Sequence, residues 1–395
     1  MIDFGLDWLN MLLRWAHIIV GIGWIGTSFY FMALDYSLRR REQMKPGVLG
    51  TAWQVHGGGF YHMEKFTVAP AELPADLKWF RWDAYLTWVT GFALLVVQYY
   101  FNADAFLIDP TVMPLTTFQA VFLSVASLLL GWLIYDAMCK SHTLGSDPKV
   151  LGIAVTVLIM LFAYLFTEVF SGRGALIHVG AFVGTIMAVN VFGVIVPNQK
   201  KITASLLKGE APDPRLGKIG KQRSTHNNYL TLPVLLMMVS NHYPMLTGHD
   251  HAWLLVALIL AIGASVRHYI NRHDAGDAPK KFVWTMPVAT VGLAVAVVLT
   301  APRVDPAMAS LQVADSQALA ISLTHCAACH AANPSHELFL EAPGGVRLET
   351  VDDLRRHASG VWSQAVVSDL MPLANETGMT DAERQQLGAW IQAQR

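Results

Sequence analysis

The chain predicts an all-α fold in two parts: a polytopic membrane bundle of about eight transmembrane helices over residues 1–301, and a small helical domain over 314–395, joined by a linker at 302–313. Three observations predict it. Of 395 residues, 53% are hydrophobic and only 14% are charged, against about 25% charged in an ordinary soluble domain. Apolar runs of bilayer-spanning length recur through the first part. Charge divides at the same boundary, with 22 Lys/Arg against 18 Asp/Glu before residue 302 and 6 against 11 after it. The mean hydropathy is +0.39. A disordered chain, a plain soluble enzyme and a nucleic-acid binder all fit these figures poorly, so the expected surroundings are a lipid bilayer and no nucleic acid.

The eight runs fall at about 8–34, 82–101, 115–138, 150–170, 175–197, 228–246, 252–271 and 282–300. Only Ser171-Gly172-Arg173-Gly174 separates the fourth from the fifth, so those two form a tight helical hairpin. Loop charge sets the topology. The loops after the first, third, fifth and seventh runs hold 7, 2, 7 and 3 Lys/Arg, while those after the second, fourth and sixth hold 0, 1 and 0. The basic loops, including Arg39-Arg40-Arg41, are expected in the cytoplasm, which leaves the N-terminus and the tail outside. The first run lacks a basic leader and a small-residue cleavage site, so it is expected to be retained rather than cleaved.

Three cysteines are too few for a disulfide framework. Two stand in Cys326-Ala327-Ala328-Cys329-His330, a pattern for covalent c-type haem attachment. Each thiol adds to one vinyl group and His330 ligates the iron from one face. Met371, 41 residues beyond His330, is the expected ligand on the other face, with Met379 the second choice; a thioether there raises the reduction potential. A thioredoxin-like pair wants a βαβ context, and half a zinc site wants a second Cys/His pair at metal spacing. The tail is therefore expected to be a class I cytochrome c domain. Such haem is attached on the outer side of a bacterial membrane, where loop charge independently puts the tail. The expected location is thus the bacterial inner membrane, with the N-terminus and tail periplasmic. Thr380-Asp381-Ala382-Glu383 predicts the cap of a final helix with Leu387, Trp390 and Ile391 on its apolar stripe.

Ionisable residues at membrane depth are functional candidates. Arg14, His17, Gly21 and Trp24 share one face of the first helix. His178 in the fifth precedes Gly180 and Gly184. His17 and His178, facing each other in the outer half, are expected to hold a b-type haem against small residues. Toward the cytoplasm, His56-Gly57-Gly58-Gly59 predicts a backbone that a ligand can approach closely. Arg223-Ser224-Thr225-His226-Asn227-Asn228-Tyr229, at the expected start of the sixth helix, predicts an anion site. With Arg267 and His268 these residues predict a pocket for a planar, anionic, hydrogen-bonding molecule. The Gly run has no following Gly-Lys-Ser/Thr, so a nucleotide P-loop is not supported. From the residues alone three classes stay open: an enzyme oxidising a small cytoplasmic molecule, a quinol-to-cytochrome c electron relay, and a membrane transporter with a fused redox sensor.

The chain resembles the PuuD family, membrane-bound urate oxidases (urate hydroxylases) with a fused cytochrome c. The resemblance is carried by Trp24–Tyr30, by His56–Tyr61, above all by Arg223–Pro244, and in the tail by Cys326–His330 and Met371-Pro372. It spans essentially the whole chain. The first helix also resembles that of HemJ-type protoporphyrinogen oxidases at His17. The PuuD resemblance implies oxidation of urate to 5-hydroxyisourate, with electrons passed to cytochrome c and no hydrogen peroxide made. Arg223 or Arg267 would pair with the urate edge, Asn227, Asn228 and Thr225 would meet its other edges, and His226 or His56 would take a proton. A downstream soluble cytochrome or terminal oxidase would take the electrons.

Overall fold

A computed structural model describes residues 2–394 apart from 68, 71, 72, 75, 302–307, 309 and 369. Eight long helical stretches cover the eight apolar runs: α1 (Ile2–Ser37), α2 (Trp82–Leu95), α3 (Thr117–Lys140), α4 (Pro148–Thr167), α5 (Gly172–Val189), α6 (Pro214–Val239), α7 (Ala252–Asp274) and α8 (Thr285–Leu299). A π-helical turn at Val96–Tyr100 extends α2, and another at Asn190–Ile195 carries α5 on to Leu207. Among the described residues five of these are long and apolar enough to cross a membrane: α1, α3, α4, the extended α5 and α7. The other three fall short for different reasons: α2 starts on polar and aromatic residues that include Asp83, α8 has 15 residues, and the first half of α6 is polar.

Helix α6 starts fourteen residues before the expected 228, because Asp213 caps it by accepting from the Arg215 amide at 2.9 Å and Pro214 fits the first turn. Arg223 and its neighbours therefore sit inside a helix whose amides are already bonded. The anion site expected at a helix start is overturned.

The all-α expectation also needs correction. Residues β1 (Val48–His56) and β2 (Gly59–Phe66) pair as an antiparallel hairpin. Gly57 and Gly58 have φ of +58° and +78°. Positive φ at both central residues is what a two-residue turn between right-twisted strands demands. The glycines expected to cradle a ligand make this turn instead, and His56 stands exposed beside it.

Helix α5 is the axis of the bundle. Leu176, Val179, Phe182, Val183 and Ile186 are all buried in the main core, where α5 meets α2, α3, α4 and α6. Phe182 stacks on Phe162 with ring centroids 4.5 Å apart and passes directly over Gly131 of α3, where a Cβ would collide with its ring. Arg39 at the end of α1 donates to the Ala275 carbonyl after α7 at 3.0 Å, and Lys221 and Lys65 both reach Asp35. These contacts gather the basic loops at one end of the bundle.

The tail packs on the other end. Its first helix α9 (Asp315–His325) lies against its last, α11 (Asp381–Ala393), with α10 (Val351–Arg356) between them in sequence. Trp390 is 1% exposed and donates to Asp315 at 2.8 Å. The linker expected at 302–313 lies largely outside the described residues, but Met308 within it packs into the tail core. Arg173 at the start of α5 donates to Gln364 of the tail at 3.1 Å. The approach is close at one point on the bundle side: a Cβ on Gly248 would strike Ser368 of the tail.

The cap expected at Thr380 is present. Its hydroxyl accepts from the Glu383 amide at 3.3 Å, and Glu383 accepts from the Thr380 amide at 2.8 Å. The Thr380 hydroxyl and amide, with help from His325, hold the Glu383 carboxyl down to about 2, from an ordinary 4.5.

Gly131→Ala should destabilise the bundle by about 1–3 kcal/mol through overpacking, seen as a lower midpoint in thermal unfolding of detergent-solubilised protein. For Glu383 the folded value is depressed. Its contribution is therefore present above the ordinary value of 4.5 and fades as pH falls toward about 2. Glu383→Gln should flatten the acid limb of tail unfolding in that window, followed by Trp390 fluorescence.

Candidate functional sites

Toward the basic end, the buried face of α6 carries a polar network. Arg223, 1% exposed, donates to Asp136 of α3 at 2.6 Å and to Asn190 at 3.3 Å. Its guanidinium lies 4.9 Å from the Tyr135 ring centroid. Asn190 donates to the Tyr135 hydroxyl at 2.9 Å and to Asn227 at 3.0 Å, and Asn227 donates to the Met187 carbonyl at 2.9 Å. His226 Nδ1 shares a hydrogen bond of 2.8 Å with the Tyr135 hydroxyl. Lys140 reaches the second oxygen of Asp136 at 2.5 Å. Arg223, His226 and Asn227 are thus brought together, but both terminal nitrogens of Arg223 are taken by protein partners.

Arg267 is in a different position. It sits on α7, 3% exposed, with its guanidinium 3.9 Å from the Phe29 ring centroid. It donates to Asn271 at 3.0 Å, and Asn271 donates to Asn228 at 2.7 Å. Among the described residues it makes no salt bridge, and both its Nε and the Nδ2 of Asn228 are buried donors without a partner. Next to it, His268 shares a hydrogen bond of 2.8 Å with the Tyr229 hydroxyl. A buried cation with no directly paired carboxylate and two orphaned donors is costly by itself; an anion with acceptor edges relieves both. His56, on the exposed hairpin turn, belongs to neither network.

Toward the tail end lies a cavity of about 520 Å³ between the α1/α2 and α5/α6 walls. His17 opens onto it and His178 does not. His178 is fully buried; its Nδ1 meets the Gly174 carbonyl at 2.7 Å and its Nε2 the Ser124 hydroxyl at 2.7 Å. Both ring nitrogens are spent, so the structure does not pair His17 with His178 across one space. The histidine that shares the cavity with His17 is His242, in the turn that ends α6.

In the tail, Cys326 and Cys329 are free thiols. Burial pushes both upward, and Glu376 adds to the effect at Cys329. A reactive dithiol needs a depressed value instead. His330 Nδ1 meets the Val346 carbonyl at 2.9 Å, which leaves Nε2 available. Met371 is held by its backbone, its amide donating to the Gln364 carbonyl at 2.9 Å and its carbonyl accepting from Arg384 at 2.7 Å. Met379 is buried in the tail core. Among the described residues no group of three or more His, Cys, Asp and Glu converges as a bare metal ion would need.

The fold and these polar centres define a helical protein with membrane-length apolar helices and a small helical tail. Residues 3–301 match the family model described as urate oxidase N-terminal. The chain belongs to that family, which points to an oxidoreductase acting on urate. No curated protein and no solved structure matches the chain.

Sequence reasoning missed Asp136 as the partner of Arg223, Asn190 within an apolar helix, and Asn271. The polar Asn190 in an otherwise apolar run was a usable signal. Asp136→Ala strands a buried guanidinium and should cost on the order of 3–5 kcal/mol. Lys140→Ala, at the solvated side of the same carboxylate, should cost about 0–1 kcal/mol. Thermal unfolding of the two purified variants checks the contrast.

Proposed function

We propose that this chain oxidises urate to 5-hydroxyisourate within a membrane-embedded helical bundle and delivers the electrons to a covalently held c-type haem on its tail, without forming hydrogen peroxide. The observation that carries the reading is Arg267: buried, without a carboxylate partner, and beside the unpartnered amide of Asn228. Urate is a flat anion edged with N–H and C=O groups. The free Arg267 Nε and Asn228 Nδ2 can donate to one edge of it, and Phe29 offers a ring face. Arg223, neutralised by Asp136, serves instead to fix α6 and present His226 and Asn227. Water adds its hydroxyl at C5 while two electrons and two protons leave the substrate. His226 and His268, half-buried and each bonded to a tyrosine hydroxyl, are the histidines that can move a proton there. His56 stands too exposed for that role.

The tail residues fit a c-type haem. Cys326 and Cys329 supply the two thioethers, His330 the ligand whose tautomer Val346 fixes, and Met371 the opposite ligand. Met379 is committed to the core. The haem would supply a one-electron acceptor at that end of the bundle. With the basic loops in the cytoplasm, the N-terminus and tail lie on the periplasmic side of a bacterial inner membrane, where a soluble cytochrome or terminal oxidase can collect the electrons.

Urate added without air to oxidised membranes should reduce the tail haem, read as its visible absorption. Cys326→Ala should abolish the acid-acetone-resistant haem. Arg267→Gln, by losing a charge-assisted contact of about 1.5–3 kcal/mol, should raise the urate KM about ten- to hundredfold. Reduction by quinol but not by urate would replace this reading with a quinol-to-cytochrome relay.

A further inference from the structure

The cavity between the α1/α2 and α5/α6 walls has a composition that the urate reading does not use. At about 520 Å³ it falls within the roughly 300–1,000 Å³ of small-molecule sites. Its walls are mostly apolar, and aromatic on the α2 side, where Trp88 stacks on Phe92 at 5.4 Å. Gly21 of α1 and Gly184 of α5 leave flat backbone on facing walls. The charged lining residues are Arg14 and Arg173, and no Asp or Glu lines the cavity. Neither arginine makes a salt bridge among the described residues. Arg14 is held by Asn10 at 2.7 Å and Gln98 at 2.6 Å. Arg173 has only the neutral Gln364 at 3.1 Å, and its buried Nε has no partner. Arg173, with a buried unpartnered Nε, and the exposed Arg14 on the same apolar space suit a large, flat ligand bearing two anionic groups. A small polar purine would leave most of that space empty, and a neutral quinone would leave both charges uncompensated.

The histidines add the metal chemistry. The Thr90 hydroxyl gives its proton to the Leu86 carbonyl at 2.7 Å, so at 3.0 Å it accepts from His17 Nδ1–H. His17 Nε2 then keeps its lone pair, the state a metal ligand needs. Gly91 gives the ring its room, since a Cβ there would lie 2.8 Å from His17 Cε1. His242, an exposed residue at the end of α6, lines the same cavity from the opposite wall.

We propose that this cavity binds a second, non-covalent haem, with His17 and His242 as its axial ligands and Arg14 and Arg173 as the partners of its two carboxylates. His178 is excluded by the bonds that occupy both its nitrogens. The site lies between the two other centres. Met187 lines it and accepts from Asn227 of the polar network, while Arg173 lines it and reaches Gln364, whose carbonyl holds the Met371 amide. A haem there would supply a one-electron redox centre in line with both. That relay role rests on the urate reading; the binding site does not.

The test uses the full-length protein purified in detergent, without urate. Acid-acetone extraction followed by the pyridine haemochrome assay should yield one extractable b-type haem per chain beside the covalent tail haem. The ferrous protein should be low-spin and unreactive to carbon monoxide at that site. His17→Gly and His242→Gly should each lose the extractable haem or leave it high-spin and carbon-monoxide-reactive, and added imidazole should restore the low-spin spectrum. The covalent haem retained in each variant reports that the chain has folded and matured. Absence of extractable haem from the parent protein overturns the proposal, as does an unchanged low-spin spectrum in both variants. Because no urate is present, a haem-loaded protein whose tail stays oxidised with urate would sink the urate reading alone.

Discussion

Removing a guanidinium from water inside an apolar bundle is prohibitive unless its charge is matched, and Arg223 sets that condition for the whole fold. Its match is built from three helices at once: Asp136 on α3, Asn190 in the π turn of α5, and Asn227 and His226 from its own helix through Asn190 and Tyr135. The π turn has a reason here. It breaks the regular helix where Asn190 must serve Arg223, Tyr135 and Asn227 together. Once those bonds are made, the register of α3, α5 and α6 is settled, and with it the positions of the cavity on one side of α6 and of Arg267 and Asn228 on the other.

The polar groups thus divide into satisfied and unsatisfied sets, and the division is more informative than the residue types. Arg223 and Arg267 are both buried arginines on inner helix faces, alike in the sequence. Both keep a buried Nε without a partner, but Arg223 is matched by the Asp136 carboxylate, while Arg267 makes no salt bridge among the described residues and connects through Asn271 to Asn228, whose amide nitrogen is unpartnered. The same distinction separates His178, whose nitrogens both hold protein partners, from His17, whose one protein bond fixes a tautomer and frees the other nitrogen.

Much of this was legible beforehand. Hydropathy located eight helical stretches, of which five are long and apolar enough to cross a membrane, because long apolar runs are the strongest signal a chain carries. Loop charge placed the tail at the end away from Arg39–Arg41, and the cap at Thr380 followed from its spacing to Glu383. The start of α6 was misjudged because its first half is polar and makes no hydropathy peak; Asp213-Pro214 was the cue that mattered. The β1–β2 hairpin was hidden by reading Gly57-Gly58 as a ligand cradle, when two glycines between alternating strands make a turn. Which histidine shares a cavity with His17 was not legible, since the end of α6 and α1 come to one space only through the packing of helices far apart in sequence.

The seam under the tail has its own consequence. Gly248 leaves out the side chain that would collide with Ser368 of the tail, and Arg173 bridges the two surfaces through Gln364. The tail is thereby seated directly against the bundle rather than carried on a free arm.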